Sequence, residues 1–150
     1  MIRVQEHDFD PGVELELLSK GNNAIGGVCS FIGMVRDFAG DEQISAMTLE
    51  HYPGMTEKQL EAIEKEANER WPLDATLIIH RYGRLEPGER IVFVAAASAH
   101  REAAFEACHF LIDWLKTKAP FWKKENASSG DQWVEAKTCD DEATKRWEQD

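Results

Sequence analysis

The sequence is poor in the residues from which disulfide frameworks and metal centres are built. It contains three cysteines, an odd number, and none of them belongs to a Cys-x-x-Cys pair. No two of its five histidines are spaced four residues apart, as ligands on one helix face would be. Neither a disulfide scaffold nor a metal site is therefore expected. Cys29 and Cys108 fall in apolar surroundings and are predicted to be core residues.

Positive charge is also scarce, with 17 lysines and arginines against 28 acidic residues and a formal net charge of -11. Nucleic acid and anionic membranes would be repelled by such a chain. No stretch approaches the length of about 18 apolar residues that a membrane span requires. The first residues lack the apolar segment of a secretory signal, and no glycine-rich phosphate loop is present. We therefore expect a cytoplasmic protein.

A length of 150 residues predicts one domain, residues 1–150, large enough to bury a core. Hydrophobic patterning predicts strands at residues 2–4, 24–33, 44–51, 75–82, 90–97, 121–125 and 132–137. Helices are predicted around residues 12–20, after Pro53-Gly54 up to Trp71, and over residues 99–118. Several strand pairs look like hairpins, and regular βαβ alternation is missing. The expected class is α+β, a single domain of mixed, largely antiparallel strands with two main helices.

Local signals refine the two long helices. Residues 56–59, Thr-Glu-Lys-Gln, fit a capping box, and Ser98 is the predicted N-cap of the last helix. The apolar stripes are predicted to contain Leu60, Ile63, Ala67 and Trp71 in one helix, and Ala104, Cys108, Leu111 and Leu115, flanked by Phe105 and Ile112, in the other. Pro120 ends the second helix.

The remaining segments are predicted from their residue types. Gly26-Gly27 suggests a bulge or a close backbone approach. Residues 37–43 are predicted to be a charged loop, and Ile44 is expected to share a strand face with Ala46. The chain is expected to close with a polar tail.

A cationic cluster runs against the acidic average. Lys116, Lys118, Lys123 and Lys124 surround the break at Ala119-Pro120. They could form an anion pocket or simply a solvated helix end, since lysines in a last turn also suit the helix dipole. In an extended strand, Phe121, Lys123 and Glu125 share one face, while Trp122 and Lys124 take the other.

Two further groups carry residues suited to anions. The run Met34-Val35-Arg36 delivers an arginine from a strand into a loop. His100-Arg101 lies at the first turn of the last helix, where free N–H groups and a guanidinium favour phosphate. Each of these residues alone is equally compatible with an ordinary structural role, and their co-occurrence favours function.

Four runs of sequence resemble the large, catalytic subunit of molybdopterin synthase. They are residues 49–55 (LEHYPGM), 80–83 (HRYG), 98–101 (SAHR) and 115–125 (LKTKAPFWKKE). The resemblance extends from about residue 24 to residue 147, in the family's order. The Lys-x-x-x-Pro-x-x-Lys spacing within the last run is its most specific part.

The resemblance implies a hammerhead-type fold and a sulfur transferase of molybdenum cofactor biosynthesis. Such an enzyme converts cyclic pyranopterin monophosphate into molybdopterin. Sulfur arrives as a thiocarboxylate on the C-terminal glycine of a small, ubiquitin-like carrier subunit. Two large subunits form a central homodimer within a heterotetramer, and no metal or organic cofactor is implied.

The same resemblance implies roles for particular residues. Lys116 and Lys123 match the family's catalytic lysines. The pterin- and phosphate-binding positions correspond to Met34, Val35, Arg36, His100, Arg101, Lys116, Lys123, Lys124 and Glu125. Lys137 stands where an arginine is expected, so a phosphate contact there would lose its bidentate donor. A lid role for residues 37–43 stays open.

The spacing of two matched residues predicts a shared site. Arg101 and Lys116 are separated by about 22 Å along one helix, at 1.5 Å per residue. They cannot both reach one small pterin within a single subunit unless the helix is broken. We therefore expect His100 and Arg101 of one subunit to meet Arg36, Lys116 and Lys123 of the other.

Two other functions remain compatible with the sequence. The same fold could be a non-catalytic module that docks a ubiquitin-like partner, with its lysines serving only as ion-pair donors. It could also be a different enzyme acting on a phosphorylated heterocycle. Substrate binding without a carrier protein would separate these possibilities.

Overall fold

A computed structural model describes residues 1–134 and 138–148 of the chain. This part of the chain contains nine strands and four helices. The strands are β1 (Ile2–Gln5), β2 (Gly27–Met34), β3 (Phe38–Ala39), β4 (Glu42–His51), β5 (Ala75–Arg81), β6 (Gly83–Leu85), β7 (Arg90–Ser98), β8 (Phe121–Ala127) and β9 (Gly130–Val134). The helices are α1 (Pro11–Ser19), α2 (Met55–Arg70), α3 (Arg101–Lys118) and α4 (Thr138–Lys145).

The first sheet has the strand order β1-β5-β7-β2, and its only parallel pair within the described residues is β1 with β5. Helices cover both faces, with α3 packed on β2 and β7 and α1 on β5 and β7. The main core lies between the sheet and the long helices and includes Ile78, Val94, Phe110 and Leu111. The predicted α+β class with largely antiparallel strands is confirmed.

The second sheet has the order β3-β4-β8-β9, with β6 paired to β4. The chain passes from the first sheet to the second between β5 and β6. Gly83 makes this crossing with a φ of +90°, a conformation that favours glycine. A side chain there would also crowd the carboxylate of Glu6. The end of β5 therefore lies where the first sheet connects directly to the second.

Helix α2 begins at Met55, and its N-cap lies two residues before the predicted one, Thr56. Its N-cap is Gly54, whose backbone N–H donates to Glu57 Oε2 at 2.7 Å. Thr56 is buried inside the first turn, where its Oγ1 accepts from the Tyr52 N–H and donates to the Tyr52 carbonyl. The predicted capping box was therefore wrong, because Thr56 bonds to the preceding turn. The predicted apolar stripe is confirmed by the burial of Leu60, Ile63 and Ala67.

Helix α3 begins at Arg101, and its N-cap is His100. The prediction of Ser98 was wrong, because Ser98 ends β7 and donates its hydroxyl to the Pro72 carbonyl at 2.7 Å. The predicted seam of α3 is buried, whereas Phe105 is 61% exposed. Phe105 therefore lies outside the stripe that meets the sheet and α2.

The region predicted as the loop 37–43 is a hairpin formed by β3 and the start of β4. In β4, Ser45 is an extra residue, since Ile44 pairs with Ala127 and Ala46 with Asn126. This bulge turns Ile44 toward the same cavity as Met47, so its predicted grouping with Ala46 was wrong. The close backbone approach predicted at Gly26-Gly27 is confirmed, because a Cβ on Gly26 would overlap the carbonyl oxygen of Ala99.

The end of the chain is more ordered than a polar tail. Residues 138–145 form α4, which packs on α3, and Trp147 belongs to the main core. Strand β9 starts two residues earlier than predicted, and its predicted continuation over residues 135–137 lies outside the described residues. None of the described helices is long and apolar enough to cross a membrane.

Candidate active site

A cavity of about 200 Å³ lies where the two sheets meet the C-terminal end of α3. Three cationic side chains line it, and each comes from a different element. Arg36 follows β2, Lys116 belongs to the last turn of α3, and Lys123 is on β8. Glu125 contributes one carboxylate. The cavity is therefore cationic within a strongly acidic chain, and it suits an anionic ligand.

The walls of the cavity are largely apolar. They are formed by Gly33, Met34, Phe38, Ile44, Met47, Ile91, Val92, Ile112, Leu115, Ala119, Phe121 and Val134. Apolar walls exclude water and strengthen the attraction between the cations and a bound anion. The polar groups can thus fix the orientation of a ligand whose ring packs on the walls.

Strand β8 separates its side chains as the sequence predicts. Phe121, Lys123 and Glu125 line the cavity. Lys124 lies on the opposite face, where its Nζ is 3.6 Å from Asp131 Oδ2 and lies over the Trp133 ring. The predicted alternation is confirmed, while the contact between Lys124 and substrate stays a prediction.

His80 is a cavity residue that the sequence did not single out as a site residue. It lies on β5 beside the crossing into the second sheet, and its ring stacks on Phe121 with 3.6 Å between centroids. Burial, with a smaller contribution from the positive charges of Lys123 and Lys116, lowers the pKa of His80 to about 3, against the opposing effect of the bond to the Arg81 carbonyl. The ring is therefore neutral at physiological pH. The run of residues 80–83 (HRYG) could have identified His80 as a site residue, because it places a polar ring near the end of a buried strand.

His100 and Arg101 lie at the other end of α3 and are exposed. The backbone of Arg101 lies beside the start of β2, since a Cβ on Gly27 would be 3.7 Å from the Arg101 Cα. Val35 is buried, and its N–H donates to the Glu89 carbonyl. Of the nine matched residues, the cavity of one subunit brings together Met34, Arg36, Lys116, Lys123 and Glu125. Val35, His100, Arg101 and Lys124 do not line it.

The remaining sequence predictions have clear positions. Cys108 is buried and its thiol lies 3.8 Å from the Val94 carbonyl, while Cys29 packs against the same core. Both match their predicted structural role. Within residues 1–134 and 138–148, no cluster of three histidine, cysteine or acidic side chains has the geometry of a metal site. Lys137 lies outside the described residues.

Comparison with known proteins gives the chain its family. The family model described as MoaE protein matches residues 4–118. The molybdopterin synthase catalytic subunit of Pseudomonas aeruginosa is 57% identical over 148 residues, which cover 99% of each chain.

Solved structures agree with that assignment. The molybdopterin biosynthesis MoaE protein of Burkholderia ambifaria superposes with a TM-score of 0.85 at 49% identity, covering 100% of this chain and 99% of that one. Molybdopterin synthase of Staphylococcus aureus gives 0.82 at 32% identity, covering 89% and 96%. The chain therefore belongs to the MoaE family, the catalytic subunits of molybdopterin synthase, sulfurtransferases of molybdenum cofactor biosynthesis.

Proposed function

We propose that this chain converts cyclic pyranopterin monophosphate into molybdopterin, with sulfur taken from the thiocarboxylate of a small ubiquitin-like carrier subunit. One observation carries the proposal. Lys116 and Lys123 come from different elements yet line one cavity together with Arg36. Both reactants are anionic, one through its phosphate and the other through its thiocarboxylate, so a cationic cavity attracts each of them. The reaction takes place in the cytoplasm, where a reduced thiocarboxylate persists.

The cavity lysines stabilise the charge that develops during sulfur transfer. The thiocarboxylate sulfur attacks a side-chain carbon of the pterin and forms a C–S bond while the C–O bond at the same carbon breaks. The displaced oxygen leaves with the phosphate ester or as water, and carrier and substrate are then linked as a thioester. Water then cleaves the acyl C–S bond, leaving sulfur on the pterin and a carboxylate on the carrier. Negative charge develops on the acyl oxygen in that second step, and ammonium groups already in place lower its barrier. Lys116 contacts the terminal glycine of the carrier, and Lys123 acts as its electrostatic or acid–base partner.

The proposed site is completed by a second copy of the chain. Arg101 and Lys116 lie at opposite ends of α3, about 22 Å apart at 1.5 Å per residue. Strand β2 lies at the edge of the first sheet and exposes Val28, Ile32 and Met34. An edge strand with exposed apolar side chains is suited to pairing with another copy.

Antiparallel pairing of β2 with its counterpart brings the distant residues together. Gly27 begins the strand beside Arg101, and Met34 ends it at the cavity. A two-fold axis near the middle of β2 therefore places the partner's copy of this first turn of α3 next to the cavity of the first subunit. His100 and Arg101 then supply phosphate donors across the dimer. With one carrier at each cavity, the assembly is a heterotetramer.

Reconstitution tests the proposal directly. The purified chain is mixed with thiocarboxylated carrier and cyclic pyranopterin monophosphate, and molybdopterin is measured for wild type, Lys116→Ala and Lys118→Ala. Lys118 belongs to the same helical turn, but its Nζ lies 4.0 Å from the centroid of the Trp114 ring. We expect Lys116→Ala to lose about 10²- to 10³-fold in kcat and Lys118→Ala to lose little.

The opposite result is equally informative. If folded wild-type protein binds the carrier but forms no molybdopterin, the enzymatic function is rejected, and the chain is instead a non-catalytic module that docks the carrier. Equal losses in the two lysine variants would indicate that the general charge of the helix end matters, rather than the cavity position of Lys116.

A further inference from the structure

The proposed reaction leaves one buried polar side chain of the cavity without a role. His80 is 4% exposed and lines the cavity with Lys116 and Lys123. Its ring and that of Phe121 lie within 16° of parallel. A buried imidazole is costly to desolvate unless its nitrogens find hydrogen-bond partners. Both ring nitrogens therefore need a partner.

The partner of one nitrogen fixes the tautomer. His80 Nδ1 lies 2.8 Å from the Arg81 carbonyl oxygen. A carbonyl can only accept, so Nδ1 carries the proton and donates it. In the neutral ring, Nε2 then keeps its lone pair and is an acceptor. It is the only other polar atom that this ring can present to the cavity.

The stacking on Phe121 selects the donor. Phe121 and Lys123 are two residues apart and share one face of β8, so their side chains are neighbours. A ring stacked on Phe121 therefore lies next to the Lys123 side chain. The charge of Lys123 also acts on His80 more strongly than that of Lys116. An ammonium group has three N–H donors and no acceptor, which complements a lone pair.

We propose that His80 is a positioning residue, whose Nε2 accepts a hydrogen bond from the Lys123 ammonium and holds it toward the reacting oxygens. Lysine has a flexible four-carbon stem, so its head group needs a fixed partner to stay in one place. His80 supplies that partner from a rigid strand, and it adds no positive charge that would repel the lysine. The catalytic consequence rests on the proposed function, whereas the contact itself does not depend on any reaction.

Three substitutions separate the roles of the two nitrogens. His80→Asn keeps a donor near Nδ1 for the Arg81 carbonyl but removes the acceptor at Nε2. His80→Gln reaches further and restores an acceptor near Nε2. His80→Phe preserves a flat ring against Phe121 and removes both nitrogens. We expect kcat to fall by about 100-fold in the Asn and Phe variants with KM for the pterin little changed, and to recover mostly in the Gln variant.

A spectroscopic measurement tests the contact without turnover. In protein labelled with ¹⁵N-histidine, the Nε2 resonance of His80 reports whether its lone pair accepts a hydrogen bond. We expect this resonance to move toward the value of an unbonded nitrogen in Lys123→Met and to move little in Lys116→Met. The matched pair removes one positive charge from the same cavity in each case.

The outcomes separate the inference from the proposed function. An Nε2 resonance that does not change in Lys123→Met overturns the contact. Equal loss of kcat in the Gln and Asn variants overturns the positioning role of His80. A wild type that forms no molybdopterin while its Nε2 signal responds to Lys123→Met supports the contact and rejects only the reaction. Thermal unfolding of each variant identifies a loss of kcat that comes from a loss of folded protein.

Discussion

Trp147 donates its indole Nε1–H to Asp113 Oδ2 at 2.8 Å, which ties the end of the described chain to α3. The indole stands edge-on to Trp71 and Phe110, with ring centroids 5.7 and 5.5 Å apart. Its backbone carbonyl accepts from Arg70 on α2 at 2.7 Å. Trp147 thus joins both long helices, and α4 is held against them.

This contact predicts a large effect on stability. Trp147→Ala should lower the free energy of unfolding by about 3–5 kcal/mol, because it leaves a cavity and removes the hydrogen bond to Asp113. Urea unfolding followed by circular dichroism measures it. Trp133→Ala is the matched control, since Trp133 is 56% exposed and should change stability by about 0.5 kcal/mol or less. Equal stability of the Trp147→Ala variant and the wild type would contradict the packing described here.

Adjacent lysines on β8 provide a second test. Lys123 lines the cavity, whereas Lys124 faces Asp131 on the other side of the strand. Lys123→Met should therefore reduce kcat/KM at least about tenfold more than Lys124→Met, because only the first change removes charge from the cavity. Steady-state kinetics with thiocarboxylated carrier measure both. A larger loss in Lys124→Met would mean that the bound substrate reaches the outer face of β8.

The shared site predicts complementation between two inactive variants. Lys116→Ala and Arg101→Ala change opposite ends of α3, so a mixed dimer has one site with both changes and one site with neither. When the variants are coexpressed, random pairing should restore about a quarter of wild-type activity. Each variant alone should stay inactive. No recovery from verified mixed dimers would show that every site is built within one chain.

His80 makes stability depend on pH in a defined direction. The unfolded chain protonates this ring near the ordinary pKa of 6.5, and the folded chain only near 3. Between those values the unfolded state binds more protons, so the stabilisation is complete above about pH 6.5 and declines as the pH falls toward 3, by at most about 1.4 kcal/mol per pH unit.

The pH effect is measured as a difference between two proteins. Urea unfolding from pH 7 to pH 4.5 is compared for wild type and His80→Phe, which lacks the titrating ring. Wild type should lose stability relative to the variant as the pH falls. Hydrogen bonding to Arg90 lowers the pKa of Asp8, and this destabilises both proteins alike in acid. A difference that stays constant with pH would be incompatible with a neutral, buried His80.

The thiols should differ in reactivity. Burial raises the pKa of the Cys108 thiol, and the nearby Cys29 raises it further, whereas Cys139 is exposed. A maleimide should label Cys139 quickly and Cys108 only after unfolding, because the thiolate is the reactive form. Cys29→Ser and Cys108→Ser should retain turnover. Loss of activity in either variant without loss of folded protein would assign a thiol to the reaction.

Periodicity predicted the elements that bury one continuous face. The stripe of Leu60, Ile63 and Ala67 on α2 and the alternation along β8 are both local, since each follows from the repeat of a helix or a strand. Predictions were wrong for residues whose hydrogen-bond or packing partners are distant in sequence. Ser98 has the residue type of an N-cap, but its hydroxyl donates a hydrogen bond to the Pro72 carbonyl instead. Trp147 was predicted to belong to a polar tail, because its packing partners on α2 and α3 are distant in sequence and cannot be read from the local pattern.

The features of the site also divide into those set by local sequence and those set by distant contacts. The sequence by itself determined the family, through runs that include both cavity lysines, and it determined that Lys123 and Glu125 share a face. Only the tertiary structure decided which side chains meet, because Arg36, His80, Lys116 and Lys123 are brought together by the crossing of the two sheets at the end of α3. It also decided the charge of His80, since burial and neighbouring cations, rather than residue type, set the pKa of an imidazole.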